Sequence, residues 1–190
     1  MVYLIGVDHK RAQRKKRGVN LTDCQREFQS VVLSAIQSID FSLLAEEDHP
    51  EFLSRDGADS ILIDIAVAHR IESRHRFIDP NDAERESIDY QRLNGPPDVE
   101  VQNMAHEIMY QFPKREKFWL RKLQRSLDSN ILFVCGWGHI ESFTALLAKK
   151  RVDYYVLADK IGASQSEIEF VDEVRKYIKD HPKDFNNPHR

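Results

Sequence analysis

Two short stretches place a histidine where an apolar run stops: Gly6 to His9 in VYLIGVDHKRAQ, and Gly136 to His139 in NILFVCGWGHIESF. A neutral imidazole can ligate a metal or carry a proton, and glycines beside it let the backbone turn sharply or approach a ligand closely. Acidic residues also follow apolar runs, at Glu46, Glu47 and Asp48 and again at Asp79. Two imidazoles and one carboxylate can hold a divalent cation and leave positions open for water and substrate. His9, Glu46 and His139 are therefore the candidate ligands, although the sequence alone does not separate Glu46 from Glu47. Glu47 or Asp79 would then act as a base, or hold a histidine in one tautomer. Mixed imidazole and carboxylate donors suit manganese, cobalt, iron or zinc. Arg115, in PKREKFWLRKLQRSL, could grip a substrate carboxylate or phosphate, or stabilise negative charge as it develops.

These residues need elements that bring them to one place. Apolar runs of strand length occur at 2–7, 41–47, 75–79, 130–136 and 152–158. Helical patterns fall at about 21–38, 58–73, 82–90, 98–112, 115–127, 140–150 and 165–180. ADSILIDIAVAH (58–69) is nearly continuous in apolar residues, but it exceeds a usual strand length and is read as a buried helix. Alternating strand and helix predicts one α/β domain over residues 1–190, with three layers and a largely parallel sheet flanked by helices. In such a sheet ligands bind beyond the carboxyl ends of the strands. Asp8 and His9, Glu46 to Asp48, Asp79 and His139 all lie at or just after predicted strand ends. His139 would open a helix there, where the dipole favours neutral imidazole. A ligand at a loop edge supports little of the core, so removing it is expected to cost little fold stability.

The chain has 190 residues, 41% of them hydrophobic, which suits a single core, and a net charge of −3, which offers no general attraction to polyanions. NGPPD (94–98) and the tail NNPHR are the clearest breaks. Cys24 and Cys135 have no metal or redox spacing, and Cys135 lies inside an apolar strand where a thiol is usually inert. The start MVYLIGV is too short for a signal-peptide core and no run is long enough for a membrane span, so a cytoplasmic location is expected. The basic segment HKRAQRKKR (9–17) lacks interleaved aromatics for base stacking; it reads as a mobile loop that draws an anionic substrate to His9, or as a nucleic-acid contact.

The paired words GVDH and GWGH, with a strand-end Glu between them and an Arg-bearing helix before the second, resemble the TraB/PrgY/TIKI family, within the wider ChaN-like and erythromycin-esterase-like fold class. REKFWLRKLQRSLDSNILFVCGWGHIESFTALLAKKRVDYYVL carries most of the likeness. The resemblance implies a metal-dependent hydrolase acting on a peptide or small-molecule substrate. His9 and His139 would be the histidines of the two words, Glu46 or Glu47 the acidic position, and Arg115 the arginine. Two rival functions follow from the same residues: a module that binds an anionic small ligand without chemistry, and a protein acting on nucleic acid.

Overall fold

The structure is a computed structural model, described here for residues 1–90 and 99–185. NGPPD and NNPHR lie outside the described residues. Five parallel strands form the central sheet: β1 (Val2–Val7), β3 (Leu43–Glu46), β5 (His75–Phe77), β6 (Ile131–Gly136) and β7 (Tyr154–Ile161), in the spatial order β5-β3-β6-β1-β7. Strands buried on both faces need apolar residues at successive positions, which is why VYLIGV and ILFVCG lack polar alternation.

Alternate residues supply the two faces. Ile5, Val7, Leu132 and Val134 meet Phe28 and Val32 of α1 (Asp23–Ser38) and Ile61 and Ile65 of α3 (Ile61–Ala68). Val2, Leu4, Ile131 and Phe133 meet Phe118, Trp119 and Leu123 of α6 (Phe112–Leu123), and Phe143 and Leu147 of α7 (Ile140–Lys149). The fold is thus a three-layer α/β domain. Each large apolar side chain fully buried in these faces contributes about 1.5–3 kcal/mol. ADSILIDIAVAH is mainly helix, and Ser60 caps α3 by accepting from the Ile63 amide. Reciprocal caps start α1, at Thr22 and Gln25, and α8 (Gln165–Asp180), at Ser164 and Glu167.

A second, two-stranded antiparallel sheet pairs β2 (Arg14–Lys16) with β4 (Ala58–Ser60), ahead of which His9–Gln13 forms a single π-turn. This corrects the reading of the basic segment as a mobile loop. Arg14 grips Asp48 through two nitrogens and also reaches Asp56; Lys15 meets Asp64, Arg17 meets Asp59, and Arg11 meets Glu167. Those cations are already matched by carboxylates, so the segment offers a polyanion much less than its sequence suggests. No helix among the described residues is long and apolar enough to cross a membrane.

The helical run 98–112 resolves into α5 (Glu100–His106) and a π-turn at Glu107–Gln111 that leads directly into α6. A π-turn adds a residue to the helical cycle and so changes which side chains face inward. α8 packs chiefly on α5.

Candidate functional site

Glu47 lies at the centre of the site. Its amide donates to Val134 O, continuing the β3–β6 ladder one residue past β3, and its carboxylate turns over the end of β6 to accept from the Gly136 amide at 2.7 Å. His9 Nε2 lies 3.4 Å from Glu47 Oε2, and His139 Nε2 lies 3.7 Å from Oε1. Arg115 Nη2 donates to the same Oε1. Residues that follow β1 and β6, with Arg115 of α6, thus converge on the carboxylate that follows β3, at the carboxyl edge of the sheet.

The two glycines that precede the histidines have packing reasons. A Cβ on Gly136 would stand 3.0 Å from His9 Nε2 and 3.4 Å from Glu47 Oε2. One on Gly6 would stand 2.7 Å from Cγ1 of Ile140, the first residue of α7. The helix after the second word therefore packs on the glycine of the first.

Hydrogen bonding fixes both imidazoles. Gln13 Nε2 donates to Glu46 at 2.6 Å, which turns its carbonyl oxygen to His9 Nδ1 at 2.5 Å. His139 Nδ1 faces the Glu116 carboxylate at 2.9 Å, and its ring is held between Phe112, stacked at 3.7 Å, and Trp119, edge-on at 4.7 Å. Carboxylate and amide oxygens only accept, so each neutral ring carries its proton on Nδ1 and presents the Nε2 lone pair toward Glu47. Ser142 adds a second donor to Glu116.

Glu46 does not join this centre. Its fully buried carboxylate accepts from Gln13, from Ser60 at 2.8 and 2.9 Å, and from His75 at 2.6 Å. Successive residues of a strand point to opposite faces, which sends Glu46 beneath the sheet edge and leaves Glu47, just past the strand, free to turn over it. Asp79 is likewise occupied: it takes Arg115 Nε and Nη2 at 3.1 and 2.7 Å, Trp119 Nε1 at 3.0 Å and Arg85 at 2.8 Å. That geometry corrects its reading as a base or a histidine holder, because its oxygens are spent orienting Arg115. His139 is buried and wedged between rings, so its removal costs more stability than a loop-edge position implies.

Charge and burial set the titration of the centre. Burial opposes the imidazolium of His9, but the Glu47 carboxylate, with Gln13 and Asp48, outweighs it and raises the pKa above 6.5. Burial also opposes ionisation of Glu47, yet Arg115 and then the two histidines hold its pKa well below the usual carboxylate range. Burial, reinforced by Glu47 and Glu116, pushes the Cys135 thiol far up, so it is no nucleophile. Tyr90, half-buried and donating to Glu107 at 2.9 Å, is pushed up to about 12, chiefly by that burial.

His9, Glu47, Arg115 and His139 border a cavity of about 300 Å3, whose remaining wall includes Met104, Ile108 and Phe112 from the α5–α6 segment and Val171 from α8. A larger groove, about 710 Å3 and floored by Leu120, Leu127 and Leu146, contains no carboxylate or imidazole and lies apart from this chemistry.

Imidazole and carboxylate donors are of the type a divalent ion takes. Two ligands at about 2.1 Å and a tetrahedral angle stand about 3.4 Å apart, close to the 3.4 and 3.7 Å from the histidines to Glu47. Among the described residues, however, no group of three or more His, Cys, Asp or Glu side chains is arranged to hold a metal ion. Arg115 Nη1, 3.4 Å from His139 Nε2, now serves as the cation nearest that ring. An ion would have to displace this contact.

Glu116, Gln13, Ser60 and His75 were not assigned roles from the sequence. Glu116 had a usable signal: Phe112, Arg115, Glu116, Trp119 and Leu123 follow the helical repeat and all are buried, so both charges lie on the inward stripe. Gln13 had none, because a π-turn leaves no period to read. In comparisons with known protein families, curated proteins and solved structures, nothing matches the chain.

Proposed function

We propose that the protein is a metal-dependent hydrolase in which His9 Nε2, His139 Nε2 and the Glu47 carboxylate hold the ion. The convergence of two imidazoles of fixed tautomer on one buried carboxylate is the observation that carries this reading. When bound, a divalent ion supplies Lewis acidity at that point. The chain's own groups do the rest. Gln13 and Glu116 keep the imidazole lone pairs aimed inward, as outer partners of ligating histidines do. Asp79 holds Arg115 at the cavity wall, where its guanidinium can stabilise negative charge developing on the substrate. The aromatic rings around His139 keep water from that side.

The rival anion-binding function needs a free cation. Arg115 is already shared between Glu47 and Asp79, and Asp8 and Glu107 also line the cavity. Such a pocket attracts a cation in preference to an anion.

Elemental analysis of protein purified without a polyhistidine tag tests the proposal, followed by titration of metal-free protein with manganese, cobalt and zinc. Saturable binding of one ion, lost in both His9→Gln and His139→Gln, is expected. A protein that takes up none of these metals overturns the mechanism.

A further inference from the structure

The groove of about 710 Å3 lies over the neighbouring helices α6 and α7, away from the sheet-edge chemistry. Its floor is aliphatic: Leu120, Leu127, Leu146 and Val152 pack against the core from outside and stay half-buried. Its walls hold five cations, Lys114, Lys117 and Arg121 from α6 and Lys149 and Lys150 where α7 ends, and no carboxylate. Lys114 is matched by Asp89. Among the described residues Lys117, Lys149 and Lys150 have no ion pair, and Arg121 lies over the Phe118 ring. Asp128 and Asp153 each follow a floor residue in sequence but lie outside the walls. A cation at Lys149 suits the negative end of a helix dipole, whereas Lys117 is in mid-helix and has no such reason. Lys114, Lys117 and Arg121 stand at i, i+3 and i+7, a row about 10 Å long on one face of α6. The chain as a whole carries a net charge of −3, so the groove is a local reversal of sign.

We infer that the groove docks an amphipathic helix of a partner protein whose apolar stripe is flanked by glutamate or aspartate. Aliphatic side chains at i, i+3, i+4 and i+7 of that helix would fill the floor, and the acidic residues beside them would meet the α6 row and the α7 pair. Charge complementarity selects this occupant. One exposed ion pair adds little, but a cluster of a single sign steers association and rejects cationic partners. Two other anionic partners fit less well. A nucleic-acid backbone would neutralise the lysines yet leave the leucines in water, and the walls contain no aromatic ring for a base to stack on. Binding to an anionic bilayer needs an apolar face that enters the headgroup region, and here the apolar residues are half-buried below exposed Lys117, Arg121, Lys149 and Lys150. Docking in the groove needs neither a metal nor catalysis at the sheet edge.

The probe is a fluorescein-labelled peptide of about 18 residues, long enough to form a helix, with leucine on one face and glutamate on both flanks. Its controls are the same peptide with lysine for glutamate, and one of identical composition in scrambled order. Fluorescence anisotropy is expected to show the glutamate helix binding the protein at least tenfold more tightly than either control. Lys117→Glu and, from the other helix, Lys149→Glu are each expected to weaken that binding fivefold or more, and circular dichroism checks that each variant is folded. Lys176→Glu, the same charge change at an exposed position of α8, is expected to leave it unaltered. Equal binding of the glutamate and lysine helices overturns the inference, because charge then selects nothing. Equal binding of the ordered and scrambled peptides overturns it as well, because the apolar floor is then unused. If Lys176→Glu weakens binding as much as Lys117→Glu does, the contact lies outside the groove and the inference fails. A glutamate helix that does not bind at all also overturns it; vesicles of phosphatidylglycerol and phosphatidylcholine in equal parts, or a labelled single-stranded oligonucleotide, that bind in its place would make the surface one for a membrane or a nucleic acid.

Discussion

Gly136 lacks a side chain where one would press on His9 and Glu47 together. At 3.0 and 3.4 Å the added methyl of Gly136→Ala does not break the fold, but the imidazole must yield by a few tenths of an ångström, and ligand geometry tolerates little of that. About a tenfold or greater loss of metal affinity is expected, read by calorimetric titration, with Tm nearly unchanged. Wild-type affinity in this variant would show that His9 is not a ligand. The His9–Glu47 pair also makes the metal-free protein sensitive to pH. The folded pKa of His9 lies above its unfolded value, so its contribution is fully present below about 6.5 and is lost as pH rises through the folded value. Glu47 runs the other way: its contribution is present above the unfolded carboxylate value and is lost as pH falls through the lowered folded one. The excess stability of metal-free wild type over His9→Gln, measured by urea unfolding, is therefore expected to be largest between about pH 5 and 6 and to shrink above neutrality. Stability that instead grew with pH would contradict the pairing.

The elements differ in how much of them could be read from sequence, and the reasons are physical. β1 and β6 were legible because a strand buried on both faces has nothing but apolar residues to display, and α8 because its reciprocal cap and amphipathic repeat agree. β2 and β4 were not, since three residues such as Arg14 to Lys16 carry no period, and their pairing depends on Asp48, Asp59 and Asp64 far along the chain. The strand ends pointed to the neighbourhood of the site. The choice between Glu46 and Glu47 waited on where β3 stops, a boundary no pattern fixes. On α6 the buried and exposed charges give a direct comparison. Asp79→Ala removes the main partner of the buried Arg115 and the acceptor of Trp119, and is expected to cost about 3 kcal/mol or more by chemical denaturation. Lys122→Ala, which breaks an exposed pair with Glu84 and a cation–π contact with Phe118, is expected to cost about 1 kcal/mol or less. Similar losses in the two would mean that Arg115 is solvated and not committed to Asp79.

At the scale of the whole molecule, the three proposed ligands follow three adjacent strands, β1, β3 and β6, although His9 and His139 are far apart in sequence. An unfolded chain cannot hold such a set together, so an ion bound there binds the native state almost exclusively and must stabilise it by mass action. At a free metal concentration about a thousand times Kd the gain is about 4 kcal/mol. A domain of this length converts each kcal/mol into about 2–4 °C, so Tm is expected to rise by about 8–16 °C on adding the preferred metal and to return with a chelator. His139→Gln is expected to lower the metal-free Tm, because Glu116 loses its partner and the Phe112–Trp119 slot loses its ring. It is also expected to abolish the metal-induced rise. The rise, not the baseline, separates a ligand from a core residue: a histidine that only fills space would lower Tm and leave the rise intact. Scanning calorimetry of both proteins with metal and with chelator gives the four values needed, and an equal metal-induced rise in both would remove His139 from the site.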